Sequence, residues 1–366
     1  MTDPILRQVV NNKVPDPVRV LVVDDSAFMR FSISQQLNEK PELLVVGTAN
    51  DGKEAIRLIP ELQPDVITLD VEMPHMDGLS TLRHIMKNFP RPVIMFSSLT
   101  KDGAAETIQA LMLGAVDFIA KPDNRLDIRQ VMDDMTVKIL SAAKAKVKPV
   151  ALRQPIILPF NQSQSLDKPV SPYPKNAPII FIGSSTGGPG ALNEIIPALP
   201  ANLAAPIVIV QHMPAGFTRS LSERLNAISP LKVKEAEPGD RLMLGQVLVA
   251  PGGFHMLWDE NEKVALNQKP TVHGVRPSVD VTLTSLVQRY GKSVIAIILT
   301  GMGSDGTNGA SLLRSQGGYV IAEHESTCVV WGMPRSVVEA GAASAILPRP
   351  QIAKAIERAV RDFGYS

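Results

Sequence analysis

The stretch VRVLVVDDS, Val18 to Ser26, decides how the first half of this chain is read. A nearly unbroken apolar run ends in two adjacent carboxylates and a small hydroxyl residue. Runs of that kind suit a strand covered on both faces, as in a parallel sheet. The acids then fall at the strand's carboxyl end, where doubly wound sheets open their ligand crevice. Working outward, further strands are expected near Leu43–Gly47, Val66–Leu69, Val93–Phe96 and Ala115–Ile119. Between them, Met29, Ile33 and Leu37 recur every four residues, and Leu79, Leu82, Met86 and Phe89 every three or four, which is core-facing helical spacing. A fifth helix is expected to start near Leu126 and fade near Lys146. Alternating strands and helices of this number fit a flavodoxin-like arrangement.

The chain has 366 residues, more than one ordinary domain needs. From Lys146 to Ala177 the composition turns to proline and polar residues without helical or alternating period, which reads as a tether. A second α/β unit then opens with Ile179–Ile182, and further strands are expected near Ile207–Val210, Val247–Ala250, Val294–Leu299 and Tyr319–Ala322. The turn-rich block from Leu231 to Val272 reads as an antiparallel excursion from a mainly parallel sheet. The expected division is an N-terminal extension over 1–17, a first domain over 18–146, a linker over 147–176 and a second domain over 177–366.

Bulk properties narrow the function. Lys+Arg 37 against Asp+Glu 36 leaves no basic stripe, which argues against nucleic-acid binding. The single cysteine, Cys328, cannot pair internally, no Cys/His group has zinc-site spacing, and a small buried apolar role is expected for it. The start, MTDPILRQVVNN, has no charged segment followed by an apolar one, and the longest apolar runs are only strand-length. A cytoplasmic protein without direct membrane insertion is the expectation.

Two constellations carry chemistry. In the first domain, Asp24 and Asp25 end the first strand, Asp70 ends the third, Ser97 follows the fourth, and Lys121-Pro122 follows the fifth. Three carboxylates in one crevice repel unless a cation neutralises them, and an oxygen-rich open site suits Mg²⁺. A carboxylate nucleophile, a metal, a lysine and a hydroxyl make a phosphoryl-transfer site. Taken singly, Asp24, Asp25 or Ser26 could each be a helix N-cap. In the second domain, IIFIGSSTGGPG (179–190) puts Ser185 on a glycine-flanked turn between a strand and a helix, as in nucleophile elbows. The rival phosphate-cradling reading fails, because Ser185 stands at the second glycine of the dinucleotide fingerprint and no lysine completes a Walker loop. A serine needs a base and the base an orienting group. His212, in QHMPAGFT (211–218), and Asp305, in LTGMGSDGTNG (299–309), follow other strands. His212 could instead be a helix-entry residue and Asp305 an N-cap, while His255 and His273 are rival bases from the turn-rich block.

LVVDDS (21–26), DVITLDVEMPHMDG (65–78), VIMFSS (93–98) and DFIAKP (117–122) resemble the bacterial response-regulator receiver family. The resemblance implies that Asp70 accepts phosphate from a histidine kinase. It implies that Asp25, Asp70 and the backbone carbonyl of Glu72 ligate Mg²⁺, with Asp24 helping through water, and that Ser97 and Lys121 contact the phosphoryl group. IGSSTGGPGAL (182–192), QHMPAGFT (211–218), KEAEPGD (234–240), APGGFHM (250–256), RPSVD (276–280), ILTGMGSDG (298–306) and CVVWGMPR (328–335) resemble the chemotaxis protein-glutamate methylesterase family. That implies a Ser185–His212–Asp305 triad, oxyanion donors at the backbone of Thr186 and Met302, no cofactor for the esterase reaction, and glutamine deamidation as a second activity. The implied partners are methyl-accepting chemotaxis receptors and a chemotaxis histidine kinase. Family members usually carry a small residue where Ser184 stands, so this chain has two adjacent hydroxyls. Two rival readings are a receiver driving a non-enzymatic binding module and a DNA-binding regulator. The second half has no compact helix-turn-helix or basic recognition helix.

Overall fold

A computed structural model describes residues 16–121, 128–145, 147, 168–174 and 177–363. Most of the N-terminal extension, Pro122 and most of the expected tether lie outside the described residues.

The first unit is a five-stranded parallel sheet: β1 (Val18–Val23), β2 (Leu43–Ala49), β3 (Val66–Asp70), β4 (Val93–Ser97) and β5 (Asp117–Ala120), in the order β2-β1-β3-β4-β5. Helices α1 (Ala27–Asn38), α2 (Gly52–Leu62), α3 (Gly78–Asn88), α4 (Lys101–Met112) and α5 (Ile128–Ala142) cover its two faces. The helices begin where side chains take up their free amides: Ser26, Asp51, Asp77 and Thr100 each accept from the amide three residues on. Ser26 is therefore the N-cap, whereas Asp24 faces the crevice. Ile33, Leu37, Leu82 and Met86 are buried as their spacing requires.

The second unit starts before its expected boundary. Inside the stretch read as tether, β6 (Ser171–Pro172) lies along the second unit, and Lys168 Nζ donates to Asn226 Oδ1 at 3.1 Å and to the Leu231 carbonyl at 3.0 Å. The elements that follow are β7 (Ile179–Ser184), α6 (Gly188–Ile195), β8 (Ile207–Gln211), α7 (Phe217–Ile228), β9 (Lys232–Glu235), β10 (Met243–Leu244), β11 (Gln246–Val249), β12 (His255–Trp258), β13 (Val264–Asn267), α8 (Val279–Tyr290), β14 (Val294–Ile298), α9 (Thr307–Ser315), β15 (Tyr319–Glu323), α10 (Met333–Glu339), β16 (Ala345–Leu347) and α11 (Arg349–Phe363). Seven of these strands form a sheet in the order β16-β15-β14-β7-β8-β11-β9, parallel throughout. The turn-rich block is thus only partly an excursion. It gives β9 and β11 to the parallel edge, and its antiparallel pairings are the β12–β13 hairpin and β10 with β6. Short strands broken by turns look alike in sequence whichever way they pair.

The two units pack together. α4 lies against α6 and α7, and Leu111, Ile108 and Phe118 of the first unit share one apolar core with Leu192, Phe217 and Leu221 of the second. The rings of Phe118 and Phe217 stack with centroids 4.4 Å apart.

At the far edge of the second sheet, the fully buried Glu323 accepts from Thr300 N at 2.9 Å and pairs with Arg349 Nε at 3.0 Å. Arg349 also reaches Glu194 at 3.1 Å. Removing one member of a buried pair strands the other's charge. Arg349→Met is expected to cost about 3–5 kcal/mol, measured by urea denaturation followed through Trp258 and Trp331, both in the second unit. A cost under about 1 kcal/mol would show that solvent or another cation screens Glu323.

Candidate active site and phosphoacceptor site

Both crevices form where strand order reverses, which in an open α/β sheet leaves the loops on either side splayed apart. In the second unit, β7 sits between β14 and β8, and the loops after these three strands carry Asp305, Ser185 and His212. Ser185 N donates to the Thr300 carbonyl and His212 N to the Ser184 carbonyl, both at 3.1 Å, so each loop is tied to its neighbour. Gly301 lets the Ser185 turn approach: a Cβ there would meet Ser185 Cβ at 2.8 Å.

His212 Nε2 lies 2.8 Å from Asp305 Oδ2. With Nε2 turned to the acid, Nδ1 is the ring nitrogen free for a second partner. Asp305 is almost fully buried, and its two oxygens are saturated. Oδ1 accepts from Ser278 Oγ and Asp280 N, both at 2.9 Å, and Oδ2 also accepts from Val279 N at 2.7 Å. Burial would raise its pKa, but the hydrogen bond and charge of His212 and the amides of Asp280 and Val279 outweigh that, and the carboxyl is held below its usual range. Asp305 thus takes up free amides at the start of α8, whose N-cap is Ser278, and bonds the His212 ring at the same time.

Ser185, Thr186, His212, Met302 and Asp305 line one cleft of about 820 Å³. Among the described residues, no acceptor takes the amides of Thr186 or Met302, whereas those of Ser185, Gly187 and Gly188 are already bonded. Of the rival bases, His255 is buried in β12, with Nε2 3.0 Å from the Pro270 carbonyl, and does not line the cleft. His273 does line it, but its Nε2 bonds Asp280 Oδ2 at 3.0 Å and stands 3.9 Å from Asp305. Asp280 in turn accepts from Gly309 N at 2.8 Å. This supporting layer of Ser278, Asp280 and His273 was not assigned from the sequence. A serine just before an apolar helical run, as in RPSVD, was its one visible signal.

The first unit closes part of the cleft. Asp117, Phe118, Ala120, Asp134 and Lys138 line it beside Ser185. Thr186 Oγ1 donates to Asp117 Oδ2 at 2.5 Å, and Gly187 N donates to the Val116 carbonyl at 3.2 Å. The turn carrying Ser185 is therefore held by the other unit.

In the first unit's own crevice, Asp24, Asp25 and Asp70 bring carboxylate oxygens within 4.8 Å of one another. Asp24 and Asp70 are buried, and Asp25 is exposed. Lys121 Nζ lies 2.7 Å from Asp70 and 3.9 Å from Asp24. Burial, outweighing Lys121, pushes the Asp70 carboxyl up to about 6, and burial likewise raises Asp24. Ser97 Oγ points elsewhere, to the carbonyls of Gly103 at 3.1 Å and Ser98 at 3.2 Å. Cys328 is buried as expected, and burial pushes its thiol well up. Among the described residues no helix is long and apolar enough to cross a membrane.

A family model described as CheB methylesterase matches residues 180–356, and one described as response regulator receiver domain matches residues 20–133. A protein-glutamate methylesterase/protein-glutamine glutaminase of Symbiobacterium thermophilum is 50% identical over 359 residues, which span 96% of this chain and 99% of that protein. One from Thermotoga maritima is 48% identical over 340 residues, 92% of this chain and 96% of that one. The crystal structure of the Thermotoga maritima CheB methylesterase catalytic domain aligns with a TM-score of 0.49 at 50% identity, over 50% of this chain and 99% of that chain. With a receiver domain ahead of a CheB methylesterase domain and such identity along nearly its whole length, the chain belongs to the protein-glutamate methylesterase/protein-glutamine glutaminase family.

Proposed function

We propose that this chain hydrolyses γ-methyl esters of glutamate side chains on methyl-accepting chemotaxis receptors, in the cytoplasm, under control of phosphorylation at Asp70. The observation that carries the reading is the His212–Asp305 bond of 2.8 Å in the cleft that Ser185 lines, at the switch point of the sheet. In this mechanism Ser185 Oγ attacks the ester carbonyl carbon and gives its proton to His212 Nδ1, the nitrogen turned away from Asp305. Asp305 fixes the tautomer and stabilises the imidazolium. The free amides of Thr186 and Met302 are suited to the developing oxyanion. Collapse of the tetrahedral intermediate expels methanol, which takes the proton from His212. Water then repeats the sequence and releases glutamate. A side-chain amide would follow the same route with ammonia leaving, so glutamine deamidation is a second activity of the same site. No step calls for a cofactor.

In the receiver, Asp70 is the proposed acceptor of a phosphoryl group from a histidine kinase. The buried Asp24 Oδ2 has no hydrogen-bond partner among the described residues, and three carboxylates crowd around the single ammonium of Lys121, so the donor set fits Mg²⁺. Asp25, Asp70 and the Glu72 carbonyl would hold the ion, with Asp24 behind a water, and the ion supplies charge neutralisation for phosphoryl transfer. Lys121 would pair with the phosphoryl oxygens. Ser97 must leave the Gly103 carbonyl, in the first turn of α4, to reach them. α4 packs on α6 and α7, so that movement would bear on the interface between the two units. Residues 18–146 are the proposed receiver and 147–176 the proposed linker. Because β6 and Lys168 are docked, a catalytic fragment should start ahead of Lys168 and not at 177.

Three measurements test this reading. Ser185→Ala is expected to abolish methanol release from methylated receptor membranes while leaving the fold intact. Retained activity would remove Ser185 as nucleophile, and a parent chain that releases no methanol would favour the non-enzymatic module. Asp305→Asn should slow turnover by up to ~10⁴-fold, since the amide cannot hold the productive tautomer, and near-normal turnover would return the search to other acids. Asp117→Ala should raise the activity of the unphosphorylated full chain and shrink the gain from an acyl-phosphate donor. A coupling of about 1–3 kcal/mol corresponds to roughly 5- to 150-fold activation. No change in either rate would mean that Asp117 does not restrain the Ser185 turn.

A further inference from the structure

Ser184 and Gln211 have no part in the chemistry above, yet both are buried beside it and bonded to one another. Gln211 ends β8, directly before His212, and Ser184 ends β7, directly before Ser185. The Gln211 amide makes three bonds. Its Nε2 donates to the Ser185 carbonyl at 3.0 Å and to the His212 carbonyl at 3.2 Å. Its Oε1 accepts from Ser184 Oγ at 2.7 Å.

The carbonyls of Ser185 and His212 therefore converge on one point. Two oxygens so placed repel unless a donor lies between them, although the Ser185 carbonyl also accepts from Gly188 N at 2.7 Å. A planar NH₂ group satisfies both at once. A carboxylate of the same shape would set negative charge against both, and a thioether offers no donor. The Ser184 hydroxyl completes the arrangement by occupying Oε1, which fixes which way round the amide sits. Room for it comes from Gly188: a Cβ there would lie 2.0 Å from Gln211 Oε1. The first residue of α6 is thus restricted by a side chain from another loop.

We propose that Gln211 is a positioning residue that sets the Ser185 turn against the His212 loop, with Ser184 orienting its amide; this rests on the reading of Ser185 as nucleophile and His212 as base. The strand ladder ties the two loops one residue back, through His212 N and the Ser184 carbonyl. Among the described residues, only the Gln211 amide joins Ser185 itself to His212 itself through their main chains. Reacting groups misplaced by about 1 Å lose on the order of 100-fold in rate, so a clasp at this point acts on the rate of attack and not on substrate capture.

The test uses the full chain and a fluorophosphonate probe, which reports serine attack without receptor docking. The label is located by mass spectrometry, and the maximal labelling rate is separated from probe affinity. Gln211→Met and Gln211→Glu are expected to lower the maximal rate about 100-fold with little change in probe affinity. Ser184→Ala should lower it about threefold to tenfold, as for loss of one neutral hydrogen bond. Retained thermal midpoint and retained phosphoryl acceptance at Asp70 report folding. A folded Gln211→Met variant with the parent's maximal rate, or one whose loss lies wholly in probe affinity, would overturn the proposal. If Gln211→Met does not fold, Gln211→Asn, an amide one methylene short, is judged by the same two criteria. A parent chain that takes no label at Ser185 would defeat the nucleophile assignment itself, an outcome separate from any difference among the variants.

Discussion

The Asp305 carboxylate holds the catalytic unit's chemistry in place. A buried carboxylate is costly unless nearly every lone pair is met. Here Ser278 Oγ, Val279 N, Asp280 N and His212 Nε2 all point at it. Those donors come from the N-terminus of α8 and from the loop after β8, while Asp305 itself follows β14. One anion therefore fixes three segments that are distant in sequence. Two of its donors are free amides at a helix N-terminus, where the helix dipole favours negative charge. The depressed pKa follows from the same geometry, and so does the orientation of the imidazole.

The receiver crevice follows the same rule of topology with the opposite electrostatics. Its acids crowd together, with Lys121 and Arg30 only partly offsetting them, and burial pushes Asp70 and Asp24 toward protonation. A site like that favours a cation. In the other crevice the Asp305 carboxylate already has its donors within the protein. The two are joined by ordinary packing: α4 lies on α6 and α7, and Ser97 bonds the Gly103 carbonyl in the first turn of α4. The contact reaches the other site through Asp117 and Val116, which bond Thr186 and Gly187 just after Ser185. A receiver placed in this way both narrows the cleft and holds the turn that carries Ser185.

Much of this was legible in the sequence. Continuous apolar runs marked the buried parallel strands, because a strand covered on both faces has no polar face to alternate with. Acids, a hydroxyl, a lysine and a glycine-flanked serine at strand ends marked both crevices, because every parallel strand delivers its next residue to the same edge. Glycines around Ser185 and Gly301 marked places where backbones approach closely. The pairing of β9 and β11 was not legible, since strands of four residues carry too little pattern to show direction. Nor was β6, whose proline-rich setting looks like tether although its backbone pairs with β10.

What the sequence determined by itself was which residue types stand at which strand ends: a cluster of acids with a lysine and a hydroxyl in one unit, and a glycine-flanked serine with a histidine and an acid after other strands in the other. What only the tertiary structure decided was partnership. His255 and His273 stood as rivals to His212 from the turn-rich block, but among these three only His212 meets Asp305 at 2.8 Å, while His273 is taken by Asp280. Ser184 looked like a spare hydroxyl until Gln211 was found against it, and Asp117 looked like part of a receiver motif until Thr186 was found on its carboxylate. Such contacts depend on distances between loops far apart in the chain, fixed by strand order and by how two units pack. Local pattern records which face a residue takes and where an element ends; it does not record what comes to lie opposite.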